Sequence, residues 1–494
     1  MRGESQRRPA TIVWGQRPED GADLDEEVDD ASRRRRRDDQ RVDHVGHRAA
    51  RIGFDVGQRA PAIHREIGAR QRGLETCGHD GRSPEQLESI RDSCHDLPSA
   101  NDSTRGQTAP RASMPDGAPV LEPRASCPKD FRVALVLPRR GPAGMFGLEC
   151  HAAAELAAAE IDAAGGVAGR IVEFVHVDGS GDPAAVAATI GALLESGSID
   201  AVTGWHLSNA RQAIAKVVGG HVPYVYAAAY EGGERSDGVL CSGEVPGDQI
   251  VASLHWLRAE ERLRQWFIVG NDYVWPRGTA AATRVGLRDT GIEILGERFL
   301  PLDTHDPAYW DRVLNEIVRS GAHGVISLLV GSDAVRFNRA FGDKGLDATI
   351  TRFSPFTDET VILASGADAT ANLFVSAGWF AGLDSASAVE FTAGFGRAFD
   401  LVNGIGPADE SAAPPPGTMA ETTYSGVHLL AGIAGTSVPT VEDARRAFGK
   451  WGWDSPHGPV DLRRGSARHP VHMAKARRAS WTVGIEVPAI PARR

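Results

Sequence analysis

From residue 131 onward, short apolar runs alternate with longer segments whose apolar residues recur every three or four positions. Residues 131–138 (FRVALVLP) read as a strand stopped by proline. Residues 151–164 are alanine-rich, carry Leu156 and Ile161, and predict a helix closed by Gly165-Gly166. A strand follows over 171–177. Asp182-Pro183 then signals a helix start: the carboxylate caps the first amides, and proline lacks an N–H that the first turn leaves unpaired anyway. That helix runs to Leu194. Next come a strand at 201–204, a helix at 208–218 and a strand at 223–228. The beat resumes with a strand at 266–270, a helix at 278–290, a strand at 293–301, a helix at 308–320 and a strand at 324–330. Strands alternating with helices through tight connections predict parallel sheets flanked by helices. Two such runs predict an α/β protein with two lobes. The expected division is 131–247 plus 376–450 for the first lobe and 248–375 plus 451–490 for the second. No period of 20–50 residues suggests a solenoid.

Residues 1–130 lack this patterning. They hold only Trp14 and Phe54 among the aromatics, six acidic residues in the eight from Asp23 to Asp30, and five consecutive arginines from Arg33 to Arg37. A chain so poor in apolar surface cannot offset its ordering entropy, so a disordered, charged extension is expected, with at most a short helix over 84–96. The arginine run reads first as a solvated tail; a nuclear-type signal or a patch for an anionic partner is the sharper alternative. Translation starting at Met114 is a third reading.

Composition narrows the function. The 494 residues carry a net charge of −11 and are 41% hydrophobic, enough for a large core. No apolar run approaches the ~18 residues of a membrane-spanning helix. The five cysteines never form a C-x-x-C pair, which argues against a disulfide scaffold or a closed zinc site. Only five of the 54 basic residues are lysine. An arginine skew spread over the whole chain, with an acidic total, does not describe a nucleic-acid groove. No secretory signal follows Met1 or Met114, so a cytoplasmic location is expected, with the cell envelope as the alternative if the N-terminus is misassigned. Nucleophile elbows, H-E-x-x-H, the P-loop and a helix-opening G-x-G-x-x-G are all missing from the sequence. The expectation is therefore no catalysis, no cofactor and no metal.

In open parallel sheets, ligands sit beyond the carboxyl ends of the strands. Four such ends gather polar and aromatic residues: His206 and Ser208; Tyr226, Tyr230 and Glu231; Asp272, Tyr273 and Trp275; Gly331 and Ser332. Ser208 is expected to cap the helix that follows it, offering a hydroxyl and backbone amides to a carbonyl or carboxylate oxygen; a cap serving only its own helix is the plainer alternative. The tyrosines and Trp275 offer flat faces and polar edges, against a plainer role in core packing. Both lobes contribute, which predicts a cleft closing on a small molecule by hinge motion. Glu421 and Tyr424 read as hinge-region structure. Trp379-Phe380 is placed at a crossover, and His457-Gly458-Pro459 at a turn before an antiparallel pair.

These residues carry a resemblance. The segments 163–169 (AAGGVAG), 178–183 (DGSGDP), 204–211 (GWHLSNAR), 226–232 (YAAAYEG), 270–277 (GNDYVWPR), 330–332 (VGS), 420–424 (AETTY) and 455–460 (SPHGPV) come in the order and spacing of a known family. Over 131–485 the chain resembles the amide-binding regulator of aliphatic amidase expression. It is similar, too, to the urea and short-chain amide substrate-binding proteins of ABC transporters, of the type I periplasmic-binding-protein fold. The resemblance implies an amide-like or urea-like ligand at His206 and Ser208, at Tyr226 and Tyr230, and at Tyr273 with its neighbours. As partners it implies a regulatory protein, or an ABC permease in the transport reading; a homo-oligomer is a further expectation. The sequence departs from the family at Ala228-Ala229, where threonine and proline are common, and at His206, where tyrosine is common.

Overall fold

The structure is a computed structural model and describes residues 130–405, 413–435, 453–463 and 466–487. The expected extension over 1–130, its arginine run and its short helix lie outside the described residues, apart from Asp130. So does 436–450 of the expected first lobe.

Five strands open the fold: β1 (Phe131–Leu137), β2 (Val172–Asp178), β3 (Ala201–Gly204), β4 (Tyr224–Tyr226) and β5 (Val239–Cys241). Helices α1 (Gly147–Ala163), α2 (Pro183–Glu195) and α3 (Ser208–Val218) connect the first four. After α4 (Ala252–Glu260) the pattern repeats with β6 (Gln265–Asn271), α5 (Val274–Gly286), β7 (Glu293–Leu300), α6 (Pro307–Ser320), β8 (Gly324–Leu328), α7 (Ser332–Asp343), β9 (Thr351–Ser354), α8 (Glu359–Ser365) and β10 (Leu373–Ala377). Helices α9 (Ala386–Val402) and α10 (Thr418–Ala434) follow. The last described strands are β11 (Trp453–Ser455), β12 (Gly458–Arg463), β13 (Ser466–Arg468), β14 (His472–Arg477) and β15 (Ser480–Glu486).

Two sheets result. The first has the order β11-β12-β13-β5-β4-β3-β1-β2 and the second β15-β14-β10-β9-β8-β6-β7. Both contain the same parallel arrangement, 2-1-3-4-5 in one and 7-6-8-9-10 in the other. Each therefore has a topological switch point, beside β1 and beside β6, where successive connections leave in opposite directions. Val133 to Val136 of β1 are fully buried, as expected for a parallel strand covered on both faces. In α1 the small residues Ala152, Ala153, Ala154 and Ala157 are all buried, and α1 packs closely with α10. The capping reading holds: Asp182 accepts from Ala185 N at 3.3 Å, and Asp306 caps α6 through Ala308 N at 2.9 Å.

The chain crosses between the sheets three times. The first crossover follows β5, the second leaves β10 toward α9 and α10, and the third joins β13 to β14. They meet at one point. Glu244 Oε1 accepts from Gly378 N at 2.7 Å, and a Cβ on Gly378 would lie 2.5 Å from the His469 ring. Only glycine lets the second and third crossovers approach so closely. Trp379 is buried at this crossover, donating from Nε1 to Pro416 O at 3.0 Å and packing edge-on against Phe391. Glu421 is also buried, paired with His457 Nδ1 at 2.7 Å and bonded to Ser425. His457 lies in the turn that joins β11 to β12, within the antiparallel pair and not before it.

One boundary differs from the sequence division. Strands β11, β12 and β13 extend the first sheet, with Ser466 pairing Cys241 of β5, although 451–490 was assigned to the second lobe. Of the last five described strands, β14 and β15 join the second sheet, β14 antiparallel to β10 and β15 antiparallel to β14. The edge of the first sheet beyond β5 is free to accept them, and the chain returns to the second sheet afterwards.

Candidate ligand-binding site between the lobes

The carboxyl ends of both sheets face each other, and the contact is tight at the switch points. Gly331 lies between β8 and α7 with φ +52°, and a Cβ there would sit 1.9 Å from Pro142 O, in the loop after β1. Gly278 of α5 stands against the other rim, where a Cβ would lie 2.8 Å from Glu231 Cβ. The sheets thus meet in a closed arrangement.

Four aromatic rings run across this junction. Phe146 follows β1, Trp205 follows β3, Phe356 follows β9 and Trp275 sits in the first turn of α5. Phe146 and Trp205 are 5.1 Å apart edge-on, Trp205 and Phe356 5.7 Å, and Phe356 and Trp275 4.7 Å. All four are buried. The Trp205 indole Nε1 is also buried and has no partner among the described residues. A buried N–H without an acceptor is costly, so this donor is a place where a ligand oxygen would be recognised.

Ser208 is fully buried, at the amino end of α3. The expected cap is corrected: Leu207 takes the cap geometry, with φ −69° and ψ 150°, and no side chain caps the helix. Ser208 is the first helical residue. Its hydroxyl is 3.4 Å from the Tyr226 hydroxyl and 3.5 Å from Arg211 Nη1, both long contacts.

His206 turns away from the junction. Its Nδ1 lies 3.2 Å from Val136 O and its Nε2 2.6 Å from the Tyr224 hydroxyl. A carbonyl only accepts, so Nδ1 carries the proton and Nε2 accepts from Tyr224. Burial drives the His206 pKa down to about 3, so the ring is neutral. Both nitrogens are spent inside the first lobe. Tyr226 donates to His206 O at 2.7 Å.

Arg211, one turn along α3, is the buried charge at this rim. It reaches Glu231 at 2.7 Å and Glu234 at 3.0 Å, and its guanidinium lies over the rings of Tyr226 and Tyr230 at 5.1 and 5.3 Å. Glu231 is therefore committed to a counter-charge, and Tyr226 and Tyr230 to the faces of that cation.

In the second lobe, Tyr273 is half-buried at the start of α5. Its hydroxyl pKa is held well above the usual value by burial, with Tyr226 and Glu231 adding to the effect, so Tyr273 faces the first lobe. Asp272 does not. It is largely exposed and pairs with Arg277 at 2.5 Å, which keeps its carboxyl below the usual range. Gly331 and Ser332 are held by Asp333, which is fully buried. Asp333 accepts from Asn271 Nδ2 at 2.8 Å, Asp303 N at 2.8 Å, Thr304 N at 3.1 Å and Arg336 Nη1 at 2.8 Å. One carboxylate thus fixes the loops after β6, β7 and β8.

The structure gathers Ser208, Tyr226, Tyr230, Glu231, Tyr273, Trp275 and the Gly331–Ser332 turn at the facing rims. It turns His206 inward and Asp272 outward. Sequence reasoning passed over Phe146 and Phe356, which no motif marked, and Trp205, whose place directly after β3 was the available signal.

Comparison with known proteins agrees with this architecture. The chain is similar to the solute-binding protein of an ABC transporter from R. palustris in complex with benzoate (TM-score 0.61, 18% identity, covering 73% of this chain and 97% of that one). It is similar to the branched-chain amino acid transporter substrate-binding protein LivJ from Streptococcus pneumoniae in complex with isoleucine (0.60, 17%, 72% and 99%). It is similar as well to a periplasmic binding protein from Burkholderia mallei (0.63, 17%, 73% and 95%). A family model described as periplasmic binding protein matches residues 130–480. With its two α/β lobes, matched switch points and facing rims, the chain belongs to the periplasmic binding protein family, whose members bind ligands without catalysis.

Proposed function

We propose that this protein is the solute-binding receptor of an ABC importer, taking a small molecule with a carboxylate or carboxamide on a flat apolar body. The observation that carries this reading is the aromatic run Phe146–Trp205–Phe356–Trp275, with the partnerless Trp205 Nε1 within it. Trp205 and Ser208 supply donors on one rim, which suits an oxygen acceptor, and the rings supply apolar surface for the body of the ligand. An amino acid's ammonium would have to compete for Glu231 with Arg211, which already holds its Oε1 at 2.7 Å. The benzoate complex of the R. palustris relative supports the class. A location in the cell envelope belongs to this proposal.

A second reading is a cytoplasmic amide sensor acting on a regulatory protein, supported by the order of the motifs over 163–460. Calorimetry tests the ligand class, and cell fractionation separates the two roles. Benzoate, 4-hydroxybenzoate and benzamide are expected to bind at least tenfold tighter than isoleucine, acetamide or urea. Trp205→Phe should weaken binding about tenfold, the scale of one lost hydrogen bond. Tyr273→Ala should cost about 1–3 kcal/mol if the ring touches the ligand. Tight binding of acetamide or urea with none of the aromatic compounds would overturn the flat-bodied ligand, and recovery of the protein only in the cytosolic fraction of its host would replace the receptor reading with the sensor.

A further inference from the structure

Away from the aromatic run, the first lobe holds a second group of chemically active side chains. His151 and Glu155 lie one turn apart on α1, with His151 Nε2 and Glu155 Oε1 3.3 Å apart. His176, on the sheet-edge strand β2, meets His151 with ring centroids 4.7 Å apart and planes inclined by 80°. One ligand atom from each of the three lies within 4.8 Å of the others, and all three side chains are half-buried.

We propose that His151, Glu155 and His176 form a site for a borderline divalent cation, zinc above all. Zinc binds imidazole nitrogen and carboxylate oxygen at about 2.0–2.2 Å in a tetrahedron, so neighbouring ligand atoms stand roughly 3.3–3.6 Å apart. The His151–Glu155 spacing already has that length. His176 needs only a small side-chain adjustment to complete a three-ligand face. Two imidazoles and one carboxylate are a poor set for magnesium or calcium, which take oxygen ligands. Helix and strand hold the three ligands from two rigid elements, which a chance pairing on one helix surface does not offer. The i,i+4 arrangement of His151 and Glu155 alone is an ordinary helix-surface pair; His176 is what turns it into a chelate. Three protein ligands leave the fourth coordination position for water or an external donor.

The test uses the full chain after exhaustive dialysis against a chelator. Calorimetric titration with zinc chloride should show one equivalent bound at micromolar or tighter concentration, with the thermal midpoint raised. Cobalt(II) should give the visible absorption of a tetrahedral site with nitrogen and oxygen ligands. Glu155→Ala, a substitution on a half-exposed helical position that favours alanine, should weaken that equivalent at least tenfold without altering the circular dichroism spectrum. His176→Gln should do the same. Equal zinc binding by wild type and both variants would place the metal on other histidines and overturn the assignment. So would the lack of a micromolar equivalent, or magnesium binding as tightly as zinc.

Discussion

Two clusters of buried charge lie close to where the sheets meet, and they are built on opposite plans. Arg211 sits within the first lobe with Glu231 and Glu234 as counter-charges and two tyrosine rings against its faces. Glu149 of α1, Asp358 and Glu359 form the other cluster, which has contributions from both sides of the junction. Glu149 Oε2 accepts from Thr360 Oγ1 at 2.8 Å, Asp358 caps α8 through Val361 N at 3.1 Å, and Glu359 Oε1 accepts from Ala381 N at 2.8 Å. Each carboxyl group keeps one buried oxygen without a hydrogen-bond partner. The backbone of Gly417 fits between two of them: a Cβ there would lie 2.3 Å from Asp358 Oδ2 and 3.2 Å from Glu149 Oε2. Burial pushes Asp358 up to about 6, and burial with repulsion from Asp358 pushes the Glu149 pKa well above its usual value and Glu359 up to about 8. The contrast is instructive. Charge inside one lobe is balanced by charge, whereas charge brought together across the lobes is balanced by protons.

The sharpest way to break this comparison is Arg211→Ala. It strands Glu231 and Glu234 without their cation and should cost about 3–5 kcal/mol in urea unfolding. A loss below about 1 kcal/mol would mean that the first cluster is not a balanced unit. Next in size is the pH response of the second cluster. Its folded pKa values are raised, so the folded state binds more protons than the unfolded one. The associated stability is fully present below about pH 4 and is lost as pH rises through about 6 and then about 8. Asp358→Asn should flatten that decline, narrowing the stability difference between pH 5 and 8.5 by about 1–2 kcal/mol relative to wild type, and Glu149→Gln should act in the same direction. Parallel curves for variant and wild type would remove the proton account.

His206 supplies an opposite slope from within the first lobe. Its pKa is depressed to about 3, so its contribution is present above about 6.5 and lost as pH falls toward 3. Tyr224→Phe removes the donor to His206 Nε2 and should cost about 1–2 kcal/mol, the smallest effect of the series. Heteronuclear NMR of the His206 ring would read the same bond directly, and an unchanged tautomer and pKa in the variant would show that Tyr224 does not hold it.

Much of the fold was legible because its signals are local. The FRVALVL run of β1 and the Asp-Pro starts of α2 and α6 need only near neighbours to act. Helix α5 was legible in kind but begins at Val274, four residues before the expected start, because Pro276 is tolerated in its first turn. The placement of β11–β13 was not legible: β11 and β13 are three residues each, too short for a period, and their partner is decided by which sheet edge stands open. The rim was legible as a set of loops but not as a set of side-chain directions. His206 and Asp272 occupy rim positions, yet each turns to a partner off the rim, Tyr224 for one and Arg277 for the other. The carboxylate cluster joins residues over two hundred positions apart and leaves no trace in any local pattern.

The last strands carry a consequence for how the protein is made. β11, β12 and β13 extend one sheet and β14 and β15 extend the other, so both sheets wait for a segment synthesised after every other described strand. Neither half can close its edge during synthesis until that segment emerges, and through most of translation each nascent half exposes an unsealed strand. A premature stop near residue 450 would therefore damage both halves at once, where a bead-like arrangement of domains would leave one intact.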